Sequence, residues 1–160
     1  MYKENKGVTL ISVMIVVIVM LMLIGIGLST GTDLIRDTKL KAGATTMLLI
    51  SAKVNSIAEN YNFNQDNELL GTKLEVGSND LNSFGVISKG AEQDDMWYMW
   101  RYDELYSCGI ETNLVEQGKE DTCFIVNYYS GEVIYSLGFE YLNQYKRLYS
   151  LSEIEKVMGK

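Results

Sequence analysis

The chain has 160 residues, 47% hydrophobic and 22% charged, with a formal net charge of −7. It lacks histidine, which excludes Ser-His-Asp and Cys-His catalysis, the kinase catalytic loop and His-x-x-x-His zinc sites. It also lacks proline, which excludes Pro-kinked helices and cis-Pro turns.

The charges are unevenly distributed. Residues 1–7 carry Lys3, Glu4 and Lys6, a balance of +1, and Val8 to Leu28 is a run of 21 residues without a charge. Residues 33–53 balance to +2, and Val54 to Lys160 holds 8 basic and 18 acidic residues, a balance of −10. An acidic surface repels phosphate backbones, so no nucleic-acid partner is expected.

In helical form, the uncharged run spans roughly 31 Å at ~1.5 Å per residue, close to the ~30 Å hydrocarbon core of a bilayer. Lys3 and Lys6 favour a cytoplasmic N-terminus by the positive-inside rule, leaving the rest of the chain extracytoplasmic. A cleaved secretory signal is one reading, with Ser29-Thr30-Gly31 as the small residues at the cut. The run is longer than the ~7–15 residues typical of such a signal. A plain signal-anchor is the second reading.

The third reading rests on particular residues. The stretch Lys6-Gly7-Val8-Thr9-Leu10-Ile11-Ser12, at the lip of the apolar run, resembles the processing signal of type IV prepilins and type II secretion pseudopilins. The resemblance implies that a prepilin peptidase cuts between Gly7 and Val8, that Val8 is then methylated, and that residues 1–7 are a leader. It further implies that residues 8–28 serve first as a membrane anchor and then as a filament core, packed against other subunits through Thr9, Leu10, Ile11 and Ser12. Relatives usually carry Glu at the fifth position after the cut, where this chain has Ser12. Ser12 cannot neutralise a neighbour's terminal amine, so the departure favours a minor or tip-type subunit over a major one.

Helical periodicity resumes over residues 29–61. Leu34, Ile35, Leu40, Ala44, Met47, Leu48, Ser51, Val54, Ile57, Ala58 and Tyr61 recur largely at three- and four-residue intervals, the pattern of an amphipathic helix. Asp33 with Arg36 and Asp37 with Lys41 add acid-first pairs along it. Gly25, Gly27, Gly31 and Gly43 stand in a helix pattern, each lowering helix stability by roughly 1 kcal/mol. Local unwinding on assembly is one reading of them, with neutral packing of Gly25-x-Gly27 as the other.

Residues 62–160 read as a β-rich head. The polar stretch Asn62 to Asn67 ends the helix but lacks the Gly and Glu of an EF-hand. Leu74–Val76, Phe84–Ser88 and Trp97–Tyr102 read as strands, the last with aromatics on both faces. Asp103 is the expected cap of a helix over Glu104–Cys108, stopped by Gly109. Two β-branched and aromatic runs within Thr122–Ser136 flank Ser130-Gly131, a hairpin pattern. Ser152-x-x-Glu155 reads as a capping box opening a last helical turn through Met158. Three or four antiparallel strands against the amphipathic helix make the expected fold class α+β, and the order is similar to that of pilins.

Outside the cytoplasm, Cys108 and Cys123 can close a disulfide worth about 3 kcal/mol, with two isolated thiols as the alternative. Pilins often carry such a bridge. The acidic pairs Asp94-Asp95, Asp103-Glu104 and Glu120-Asp121 fit solvated surface better than a calcium site. Trp97 and Trp100 fit a core better than a sugar platform. No Gly-rich phosphate loop is present, and neither cofactor nor metal is expected.

The expectation is therefore a non-enzymatic filament subunit made as a precursor, partnered by a prepilin peptidase, by other subunits and by the membrane. After assembly it would stand at the cell surface, with the head serving adhesion, secretion or assembly. The runner-up is a membrane-anchored extracytoplasmic binding domain that does not polymerise.

Overall fold

One face of the head's sheet packs on residues Leu40 to Val54 of one long helix. In a computed structural model, which describes residues 6–63, 68–87, 96–141 and 146–159, helix α1 runs Lys6–Phe63. The side chains of residues 6–14, 21–33 and 78–80 lie outside that description. The chain divides into two units, Met1–Thr38 and Lys39–Lys160.

The second unit contains a five-stranded sheet formed by β1 (Thr72–Leu74), β2 (Trp97–Trp100), β3 (Phe124–Asn127), β4 (Val133–Glu140) and β5 (Arg147–Ser150). The spatial order follows the chain order, and every neighbouring pair is antiparallel. Three short helices complete the unit: α2 (Ser78–Ser83), α3 (Tyr102–Ser107) and α4 (Leu151–Met158). The molecule is thus α+β, with a long N-terminal helix and a meandering antiparallel sheet.

Side chains alternate across the sheet, as the period of two requires. Phe124 and Val126 join Leu40, Ala44, Met47, Ile50 and Val54 of α1 and Leu151 and Ile154 of α4 in the main core. Ile125 turns to the other face, where Leu81, Trp97 and Ile134 form a smaller core with Phe84 and Val86. Trp97 and Trp100 are three residues apart and therefore serve opposite cores, both fully buried.

Gly43 has a close-packing role in α1. A Cβ placed there would lie 2.2 Å from the Phe139 ring, so the missing side chain makes room for an aromatic of β4. Gly43 is thus a notch for packing. The amphipathic stripe also differs from the one expected. Ile50 is fully buried, whereas Leu34, Ile35, Leu48 and Tyr61 are exposed.

The β3–β4 hairpin forms where expected, with a connection longer than the Ser130-Gly131 pair. The Asn127 side-chain oxygen accepts from the backbone N–H groups of Tyr129 (2.9 Å) and Ser130 (2.8 Å), replacing backbone partners in the turn. Gly131 has φ of 70°, a conformation that favours glycine. A Cβ there would also lie 2.7 Å from Asn55 of α1. The Ser51 hydroxyl of α1 donates to the Gly131 carbonyl at 2.6 Å, tying the turn to the helix.

Three local expectations are corrected. The Leu74–Val76 strand lies earlier, at Thr72–Leu74. Phe84–Val86 is not a strand: Gly85, with φ of 70°, ends α2, and the Val86 N–H closes back on the Leu81 carbonyl at 3.1 Å. Ser88 lies outside the described residues. Helix α3 starts at Tyr102 with Arg101 as its N-cap, because the Glu104 carboxylate reaches back to the Arg101 N–H at 2.8 Å. Asp103 therefore sits in the first turn rather than capping it.

Helix α4 is capped by Ser150, whose hydroxyl oxygen accepts from Glu153 N–H, so the box at Ser152 and Glu155 is not the one used. Ser152 is otherwise engaged. Its N–H donates to the buried Glu132 carboxylate at 3.0 Å, and its hydroxyl oxygen accepts from the Ile87 N–H at 3.0 Å. A carboxylate at a helix N-terminus is the favourable sense for the helix dipole.

Candidate functional site

The residues singled out for processing and assembly fall at the start of α1. Gly7, Val8, Thr9, Leu10, Ile11 and Ser12 are helical, and the side chains of these residues lie outside the described ones. Within the apolar run, the side chains of Ile15 to Met20 are described, and all six are between 42% and 59% exposed. Among the described residues, no helix is long and apolar enough to cross a membrane.

The two cysteines stand as free thiols. They occupy different surroundings. Cys108 caps the end of α3 beside Ser107 and Lys53, while Cys123 is buried before β3 beside Ser136 and Arg101. Burial pushes both thiols above their ordinary value of 9.0, so near neutrality they are protonated and poorly nucleophilic.

The head's tryptophans hold structure rather than ligand. Trp100 Nε1 and the Tyr128 hydroxyl both donate to the Leu70 carbonyl, at 2.9 Å and 2.8 Å. Two buried donors thus fasten the loop before β1 onto the main core. Burial pushes the Tyr128 phenol well above its ordinary value, consistent with a fixed hydroxyl donor. Tyr98 meets the Tyr128 ring edge to face at 5.2 Å.

A second aromatic pair lies on α3, with Tyr102 packed against the main core and Tyr106 exposed. Tyr102 and Tyr106 are one turn apart on α3, their rings stacked 6.0 Å centre to centre and within 14° of parallel. Tyr106 is 67% exposed. Beside them opens a cavity of about 420 Å³ floored by Leu105 and Val115 and edged by Glu111, Thr112 and Asn113. A second cavity of about 550 Å³ shares Ile110 and Glu111 with the first and continues along Leu49, Lys53 and Ser56 of α1. The i,i+4 spacing of Tyr102 and Tyr106 is the sequence signal for this pair, weaker than the aromatic run at Trp97–Tyr102.

The loop that edges these cavities is fixed from below. The Ile110 N–H closes α3 on the Leu105 carbonyl at 2.9 Å, with Gly109 at φ of 72°, a common helix ending. The Tyr135 hydroxyl donates to the Leu114 carbonyl at 2.9 Å.

Of the acidic pairs, Asp94-Asp95 lies outside the described residues. Among the described residues, no group of three Cys, Asp or Glu is arranged to hold a metal ion. No family model, curated protein or solved structure matches the chain.

Proposed function

We propose that the chain is a pilin-like subunit of a type IV pilus or type II secretion-like filament, made as a precursor and assembled through its N-terminal helix. The observation that carries this reading is the order Lys6-Gly7-Val8-Thr9-Leu10-Ile11 immediately before an uncharged helical run, in a helix whose later part bears an antiparallel head. Cleavage after Gly7 frees the Val8 amine and leaves the apolar run on the mature protein. That run is held by hydrocarbon before assembly and by the same segments of other subunits afterwards. The exchange is between two apolar surroundings, so packing rather than hydrophobicity drives it.

Ser12 supplies no charge to the bundle, which suits a subunit without a predecessor to neutralise. The head is a passenger on this scheme and supplies surface rather than catalysis.

Co-expression with a prepilin peptidase, followed by intact-mass and N-terminal peptide analysis, tests the reading. It expects loss of Met1 to Gly7 and a methyl group on Val8. An uncut chain sinks it and leaves a membrane-anchored binding domain.

A further inference from the structure

We propose that the groove beside Tyr102 and Tyr106 binds uncharged pyranose units of a glycan chain. The inference goes beyond the filament reading and does not depend on it. The two rings on α3 stack near-parallel to each other, with Tyr102 packed toward the main core, so the exposed ring of Tyr106 is the platform. An aromatic face carries a negative quadrupole, and the C–H face of a pyranose presents weakly positive hydrogens to it. Tyr106, two-thirds exposed, has no counterpart of this kind in a core, where an aromatic of its size gains most from burial.

The groove edge supplies what sugar hydroxyls need. Glu111 is an exposed acceptor, and Asn113 offers a donor and an acceptor on one side chain. Thr112 accepts from the Leu114 N–H at 3.2 Å, leaving its own hydroxyl proton to donate. Hydroxyls both give and take hydrogen bonds, so this mixed set matches them better than it matches a cation. The volume of about 420 Å³ lies in the usual range for small-ligand sites. Because Ile110 and Glu111 line both cavities, a chain seated on the tyrosines can continue toward α1 rather than end there.

Charge selects among glycans. The distal balance of −10 and the Glu111 carboxylate oppose uronic acid, sulfate and phosphate polymers. The site is also preorganised: Leu105 and Val115 are buried beneath it, and Tyr135 holds the adjoining carbonyl. Little ordering entropy then opposes binding.

The test uses the full-length chain in a sugar-free detergent, with saturation-transfer NMR and equilibrium titration against chitotetraose, cellotetraose and mannotetraose. Polygalacturonate serves as the anionic probe and a lysine-rich peptide as the protein-like one. At least one neutral tetrasaccharide is expected to bind saturably, and polygalacturonate is not. Tyr106→Ala should weaken binding about tenfold through the lost stacking surface, whereas Tyr106→Phe should retain it. Glu111→Gln should weaken it a few-fold. Both positions are exposed, and unchanged thermal melting of the variants confirms that the groove is intact. Failure of all three neutral probes, indifference to Tyr106→Ala, or preferential capture of the lysine-rich peptide would each overturn the assignment.

Discussion

Helix α1 contains two apolar stretches with opposite surroundings. Around Ile15 to Met20, in the first unit, every described side chain is exposed; from Leu40 to Val54, in the second, the stripe facing the sheet is almost entirely buried. Hydropathy ranks the first stretch as the more apolar, yet the second is the one that folds the head. The contrast separates two uses of apolar surface. One stretch is apolar all round and exposed; the other is apolar on one side only and is covered within its unit.

The same substitution in both stretches gives the largest contrast. Val54→Lys buries an unpaired ammonium against the sheet and should unfold the head, costing several kcal/mol. Val16→Lys should leave the head's thermal melting unchanged and, on the proposed filament reading, block membrane insertion and filament incorporation, since a central charge costs about 2.5–3.5 kcal/mol in a membrane helix. Equal melting losses in the two variants would abolish the distinction.

Gly43→Ala refines the comparison inside the packed stretch. Alanine raises helix propensity by about 1 kcal/mol, but the added Cβ meets the buried Phe139 ring. The clash should win, with a net loss of about 1–3 kcal/mol in denaturant titration. Combining it with Phe139→Leu should recover part of that loss, a coupling visible in a double-mutant cycle.

Alkaline pH should weaken the packed unit as well. Burial raises Cys108, Cys123, Tyr128 and Tyr135 above their ordinary values of 9.0 and 10.0. Unfolded, these groups release protons first, so the unfolded chain binds fewer protons and stability falls as pH rises through about 9 and beyond. Melting temperatures between pH 7 and 10.5 measure the slope. A flat profile would mean that these groups are as hydrated in the head as in the unfolded chain.

The smallest expected effect is at α4. Ser150→Ala removes the cap and should cost about 1 kcal/mol, whereas Glu155→Ala, in the unused box, should stay within about 0.5 kcal/mol. Reversed magnitudes would mean that the later box caps the helix in solution.

These differences also show what the sequence contains. The uncharged run, the class of the fold, strand β2 and the β3–β4 hairpin were legible because each has a strong local period or turn residue. The start of α4 was ambiguous because Ser150-Leu151-Ser152-Glu153 and Ser152-Glu153-Ile154-Glu155 both satisfy one rule. Only Glu132 and Ile87, distant in sequence, decide between them by occupying Ser152. Phe84 to Val86 is β-like in composition, but its apolar side chains cover the second core from a turn. The exposed Tyr106 on α3 was hidden for the opposite reason. Spacing identifies a shared helix face, but it does not say whether that face looks inward or outward.

The Gly43–Phe139 contact acts as a keyway on the packed part of α1. Moving the sheet one helical turn either way would set Phe139 against Lys39 or Met47, and a one-residue rotation against Ala42 or Ala44. Each of those positions carries a Cβ where the ring now sits, and only Gly43 offers the gap. A single absent methyl thereby indexes the sheet along the packed part of α1 and disfavours slippage of one past the other.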